Sequence, residues 1–157
     1  MGYTVTLPTR AAWTLTVADA MTEDEVITIG LQTYTLRDAV TTTANQVLVG
    51  ANQTATAVNL LAAITLGDTA GTNYGSATVI NPYVTAAIAT AAQVICTARD
   101  AGLVGNGIVF TETGDGSWAQ TTTAVGDMES FLVNVMAQSQ VNSDVLNSLR
   151  AVTATAD

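Results

Sequence analysis

Apolar and polar residues alternate from the start of the chain. Tyr3, Val5 and Leu7 alternate with Thr4 and Thr6, Pro8 interrupts, and Trp13, Leu15 and Val17 then alternate with Thr14 and Thr16. Period two over short stretches is the signature of extended chain, and such a segment needs a neighbour to pair with. The pattern predicts an extended N-terminal arm over residues 1–25. Large apolar side chains on an arm have no obvious home in their own domain, so Tyr3, Val5, Leu7, Trp13 and Leu15 are the expected partner-binding residues. The competing role for them is a local core under the C-terminal helices.

Residues 26–125 read as an α+β core module. Two β-rich runs, Val26–Ile29 and Gln32–Leu36, flank Gly30-Leu31, and a glycine at the first central position suits a type II′ hairpin. Gln46–Gly50 is a further short strand. The period then changes to that of a helix, with Ala57, Leu60, Leu61 and Ile64 on one face, Asn52 or Thr54 as N-cap and Gly67 as the stop. Residues 67–83 form a polar loop closed by the Asn81-Pro82 turn. The β-branched content of 84–88 and 93–99 favours two strands over one Ala-rich helix. A glycine-rich turn over 100–107 leads to a strand at 108–113 and a turn at 114–117. Beyond residue 126, Met128, Phe131, Leu132, Val135 and Met136 form one helical stripe, and Val145, Leu146, Leu149 and Val152 another, with a break expected near Gln140. The fold class is α+β: a mainly antiparallel sheet with one packed helix, the N-terminal arm and a C-terminal helical segment over 126–157.

Composition narrows the chemistry. The chain of 157 residues holds 28 Thr, 26 Ala, no Lys and no His. Without histidine there is no Ser-His-Asp or Cys-His nucleophile pair and no imidazole metal ligand. A net charge of -9, with Arg10, Arg37, Arg99 and Arg150 as the only cations, leaves no basic stripe for phosphates, so nucleic-acid binding is not expected. The single cysteine, Cys96, alternates with Val94 and reads as a small buried hydrophobe. No apolar run reaches membrane-span length, and the start of the chain has no basic opening and apolar signal core, so synthesis in a cytoplasm is expected. Glu23-Asp24-Glu25 lacks cation-loop spacing and reads as a solvated turn. Glu112 and Asp115 beside Trp118 could in principle run acid and base chemistry on a glycoside, but adjacent loop carboxylates on an acidic chain are ordinarily solvated. No enzyme, metal or cofactor is expected. Tyr74, Tyr83 and Trp118 are the aromatics near polar loops that a carbohydrate-binding module would use.

Six blocks follow one another along the chain: Ile29-Gly30, Thr33-Tyr34-Thr35-Leu36, Val47-Leu48-Val49-Gly50-Ala51, Ala55-Thr56-Ala57-Val58-Asn59-Leu60, Asn81-Pro82-Tyr83-Val84-Thr85-Ala86, and Thr97-Ala98-Arg99-Asp100-Ala101-Gly102-Leu103-Val104-Gly105-Asn106. In this the stretch from Val26 to Thr113 resembles a family of modules in structural proteins of tailed-bacteriophage virions. The resemblance implies a virion protein made in the host bacterial cytoplasm. Within that class the expected job is capsid decoration or cement, bridging capsid subunits. The resemblance implies the major capsid protein or another virion protein as partner and a homo-oligomer as form, a trimer being one common arrangement of capsid ornaments. A tail fibre, adaptor or baseplate component is the alternative within the virion, and a carbohydrate-binding or adhesive module the alternative of another class.

Overall fold

A computed structural model describes residues 7–19, 21–125 and 136–147. The chain is an α+β fold of mostly β content, and its strands form two four-stranded sheets. The first sheet has the order β5-β6-β1-β8, built from β1 (Arg10–Thr16), β5 (Val84–Thr90), β6 (Gln93–Ala101) and β8 (Ser117–Thr122), all antiparallel. The second has the order β4-β3-β2-β7, built from β2 (Val26–Ile29), β3 (Gln32–Arg37), β4 (Gln46–Leu48) and β7 (Phe110–Glu112). Only the β3–β4 pair in it is parallel.

The hairpin β2–β3 closes through Gly30-Leu31, with Ile29 paired to Gln32. Gly30 has φ +66° while Leu31 stays out of the left-handed region, which is the type II′ geometry expected from the Gly-X pair. A side chain at Gly30 would also run into the Tyr83 ring. Helix α1 (Gln53–Thr65) starts at Asn52, whose side chain accepts from the Ala55 N–H at 2.9 Å. Leu66, rather than the glycine after it, takes the left-handed position that ends the helix, and the Gly67 N–H donates to Ala62 O at 2.9 Å. α1 packs on β4, β5 and β6 and buries Ala57, Leu60, Ala63 and Ile64. Two of its polar side chains turn inward with partners: Asn59 Nδ2 donates to Leu48 O at 2.9 Å, and Thr56 Oγ1 accepts from the Gly50 N–H at 2.9 Å.

The arm expected over residues 1–25 is overturned where the structure describes it. β1 is an interior strand, hydrogen-bonded to β6 on one side and β8 on the other. β8 itself, in the Thr-rich text after the 114–117 turn, was not expected as a strand. Leu15 and Val17 are fully buried between the sheets with Ile27, Ile29, Tyr34, Leu36 and Val94. Trp13 heads a second, smaller cluster. Its ring stacks on Phe110 at 4.3 Å between centroids, and Phe110 in turn meets Trp118 at 4.7 Å, so one β7 residue is clamped by aromatics from β1 and β8. Alternation correctly marked an extended segment with one apolar face. It carried no information on whether the neighbour lay in the same chain, because both pairing strands are distant in sequence.

The helix over 136–147 runs through Gln140 without the expected break. Gln140 Nε2 donates to Asp144 Oδ1 at 3.0 Å, one turn away. Met128, Phe131, Leu132, Val135, Leu149 and Val152 lie outside the described residues.

Two buried protons link this core to pH. Burial pushes the Tyr34 hydroxyl from 10 up to about 12, and burial likewise pushes the Cys96 thiol from 9 up to about 12. Both groups are neutral when protonated, so the folded state holds the proton more tightly than the unfolded chain does. Their contribution is complete below pH 9 and is lost as pH rises toward 12. Each group is expected to remove about 1.4 kcal/mol per pH unit once its unfolded form ionises. Urea midpoints measured from pH 8 to 11 should begin to fall near pH 9 in the wild type. In Cys96→Ala they should hold until near pH 10, where Tyr34 takes over.

Candidate interaction surface

The tip of the β2–β3 hairpin gathers apolar side chains from three separate segments. The type II′ turn leaves Leu31 87% exposed. The Gly30 N–H donates to Val109 O at 2.8 Å, which draws the segment before β7 against the turn, and Gln32 Nε2 donates to Val79 O at 3.0 Å, which draws in the end of the polar loop. Val79, Val109 and Ile80 are 62%, 55% and 47% exposed. The Tyr83 ring lies against Gly30 at the turn. Leu103 and Val104, on the 3-10 turn Leu103–Gly107 that follows β6, are exposed as well. Single exposed apolar residues are ordinary on a protein surface. Leu31 stands in the turn itself, and two hydrogen bonds bring Val79, with Ile80 next to it in sequence, and Val109 toward it, which makes this tip the candidate interaction surface.

Charge is segregated from this tip. Glu23, Asp24 and Glu25 stand at the opposite end of the hairpin, where Arg37 pairs with Glu23 at 3.6 Å and with Asp24. No acidic residue occurs between Asp68 and Asp100, the stretch that supplies Val79 and Ile80. Leu31, Val79, Ile80 and Val109 are themselves uncharged, and apolar side chains are desolvated at low cost on contact with another macromolecule.

The expected partner-binding residues scatter in the structure. Leu7 is exposed at 65%, whereas Trp13 at 7% and Leu15 at 0% are core residues and offer no surface; that expectation is corrected for both. Tyr3 and Val5 lie outside the described residues. Tyr74 is buried and donates its hydroxyl to Gly67 O, and Tyr83 and Trp118 are half-buried against Gly30 and Phe110. None of the three is fully exposed. Glu112 is half-buried at the end of β7, and Asp115 is exposed in the turn that follows. Among the described residues no three His, Cys, Asp or Glu side chains come together as metal ligands, and no helix is long and apolar enough to cross a membrane. The patch escaped sequence reasoning because Leu31, Val79, Ile80 and Val109 share no local periodicity. The one available signal was Leu31, an apolar residue in a two-residue turn.

The chain matches no protein-family model and no curated protein.

Proposed function

We propose that this protein is a non-enzymatic structural subunit of a tailed-bacteriophage virion, acting as a capsid decoration protein that bridges neighbouring shell subunits as a homo-oligomer. The observation that carries this reading is the apolar hairpin tip, where Leu31, Val79, Ile80 and Val109 are all exposed. The resemblance of the six ordered sequence blocks to virion modules supports the virion reading, and the tip would supply a means of contact. Burying such side chains against a partner contributes about 1.5 kcal/mol each. A surface that exists only on the assembled shell is then stabilised by mass action when the protein binds it. The protein would be synthesised in the host cytoplasm and would need no cofactor.

The test is immunogold electron microscopy on purified phage, with an antibody to this protein, combined with a Leu31→Asp/Val79→Asp double variant. Gold is expected over the heads for the wild type. The variant should fold, by circular dichroism and an unchanged urea midpoint, yet be absent from particles. Label confined to tails would replace decoration with a fibre, adaptor or baseplate role, and unlabelled particles would sink the virion reading.

A further inference from the structure

Of the four arginines, Arg37 is ion-paired through Nη1 with Glu23 and Asp24, and Arg150 lies outside the described residues. Arg10 and Arg99 make no ion pair among the described residues, although the chain carries 13 acidic side chains. They flank one cleft of about 230 Å³, completed by Thr85 and Ala98. The fold builds this juxtaposition from distant segments. Arg10 opens β1 opposite Ala101, next to a register shift in the β1–β6 ladder, and Arg99 lies near the end of β6, where its N–H bonds Tyr83 O at 2.8 Å.

Each guanidinium is anchored by a backbone carbonyl. Arg10 Nη1 donates to Ala98 O at 3.0 Å, and Arg99 Nε donates to Asn81 O at 3.1 Å. Those two bonds fix the planes of both groups and use one donor of each. The remaining N–H donors have no protein acceptor among the described residues, so two preorganised, unneutralised cations share a pocket on a strongly acidic molecule. Thr85 adds a hydroxyl at the wall, where it donates to Thr97 O at 3.4 Å.

We propose that the Arg10–Arg99 cleft is a binding site for a carboxylate. The planar fork of arginine matches a carboxylate with two parallel N–H···O bonds, and two forks in one pocket can hold both faces of its lone-pair set. Phosphate chemistry also suits arginine, but the field of a chain with net charge -9 opposes a ligand in proportion to the ligand's own charge. That bias selects a monoanionic carboxylate over polyanions. The carboxylate is either that of a small molecule or an acidic side chain of a second copy of this chain.

The experiment follows the arginine Nε–Hε resonances of the full ¹⁵N-labelled chain at pH 6 and constant ionic strength. Acetate, a monoanionic carboxylate, and sulfate, a dianion with the tetrahedral geometry of phosphate, are added in separate titrations, and a dilution series is run without ligand. Arg10 and Arg99 should shift together and saturate with acetate while Arg37 stays still. Arg10→Lys, which keeps the charge and loses the fork, should weaken acetate binding about tenfold. Linear shifts without saturation, equal shifts at Arg37, or sulfate saturating the pair at lower concentration than acetate would each overturn the proposal. Shifts of the same pair on raising protein concentration, reversed by acetate, assign the carboxylate to a second copy. Their absence alongside acetate saturation assigns it to a separate molecule.

Discussion

Asn81→Leu is expected to lower the stability of the protein by about 4 kcal/mol, the largest loss anticipated for a polar substitution here. Asn81 is completely buried, and its side chain serves three parts of the fold at once. Its Oδ1 accepts from the N–H groups of Tyr83 at 2.9 Å and Val84 at 3.2 Å, which sets the entry into β5. Its Nδ2 donates to Ile29 O at 3.4 Å and to the Tyr34 hydroxyl at 3.3 Å, both in the second sheet. Its backbone adds two more links, donating to Ile64 O at the end of α1 and accepting from Arg99 Nε. Leucine has nearly the same volume but satisfies none of the side-chain bonds, so the Tyr83 and Val84 N–H groups would lose their acceptor, and the Ile29 carbonyl and Tyr34 hydroxyl a donor. For a domain of this size the loss corresponds to a fall in Tm of about 12 °C. Urea unfolding provides the measurement, with Asn142→Leu on the exposed helix as a control expected within about 0.5 kcal/mol of wild type. A loss below about 1 kcal/mol at Asn81 would mean that the hub orients the sheets without stabilising them.

Gly75→Ala should cost about 3 kcal/mol, for a reason of space rather than of polarity. The segment 41–46 lies along 73–78, held by bonds from the N–H groups of Gly75 to Gln46 O at 2.9 Å and of Ala77 to Thr42 O at 3.1 Å. Asn45 N–H donates to Thr78 Oγ1 at 2.8 Å, and that hydroxyl donates back to Gly75 O at 2.6 Å. The chains are so close that a β-carbon at residue 75 would overlap the Thr43 carbonyl oxygen. A backbone oxygen cannot swing aside as a flexible side chain can, so the ladder itself must open. Gly107→Ala is the matched contrast, because no atom lies within 4 Å of a β-carbon there. That variant should gain about 0.5 kcal/mol by restricting the unfolded chain. Equal midpoints for the two variants in urea would overturn the packing argument.

Elements whose partners lie nearby in sequence were legible from the residues. The β2–β3 hairpin needs only Gly30 at a left-handed position between two β-branched runs, and β5–β6 only a short Ala-Ala turn between Thr90 and Gln93. Helix α1 is specified by its apolar spacing and the Asn52 cap within fourteen residues. β8 was missed because Ser117–Thr122 is mostly polar text that becomes a strand only by pairing with β1. The apolar hairpin tip was missed for a related reason. Exposure is decided by what covers a residue, and nothing near Val79 or Val109 in the chain says that each will be drawn to the Leu31 turn by a hydrogen bond.

The sequence by itself determined the α+β class, the hairpins, the helix and its cap, and the buried, inert setting of Cys96, because propensity, capping and turn geometry act over a few residues. Only the tertiary structure decided that Trp13 and Leu15 belong to an interior strand, that Asn81 joins both sheets, and that Arg10 and Arg99 face one cleft. Those outcomes depend on pairings across some twenty to a hundred residues, where a period-two pattern fixes which face is apolar and leaves open which surface will cover it.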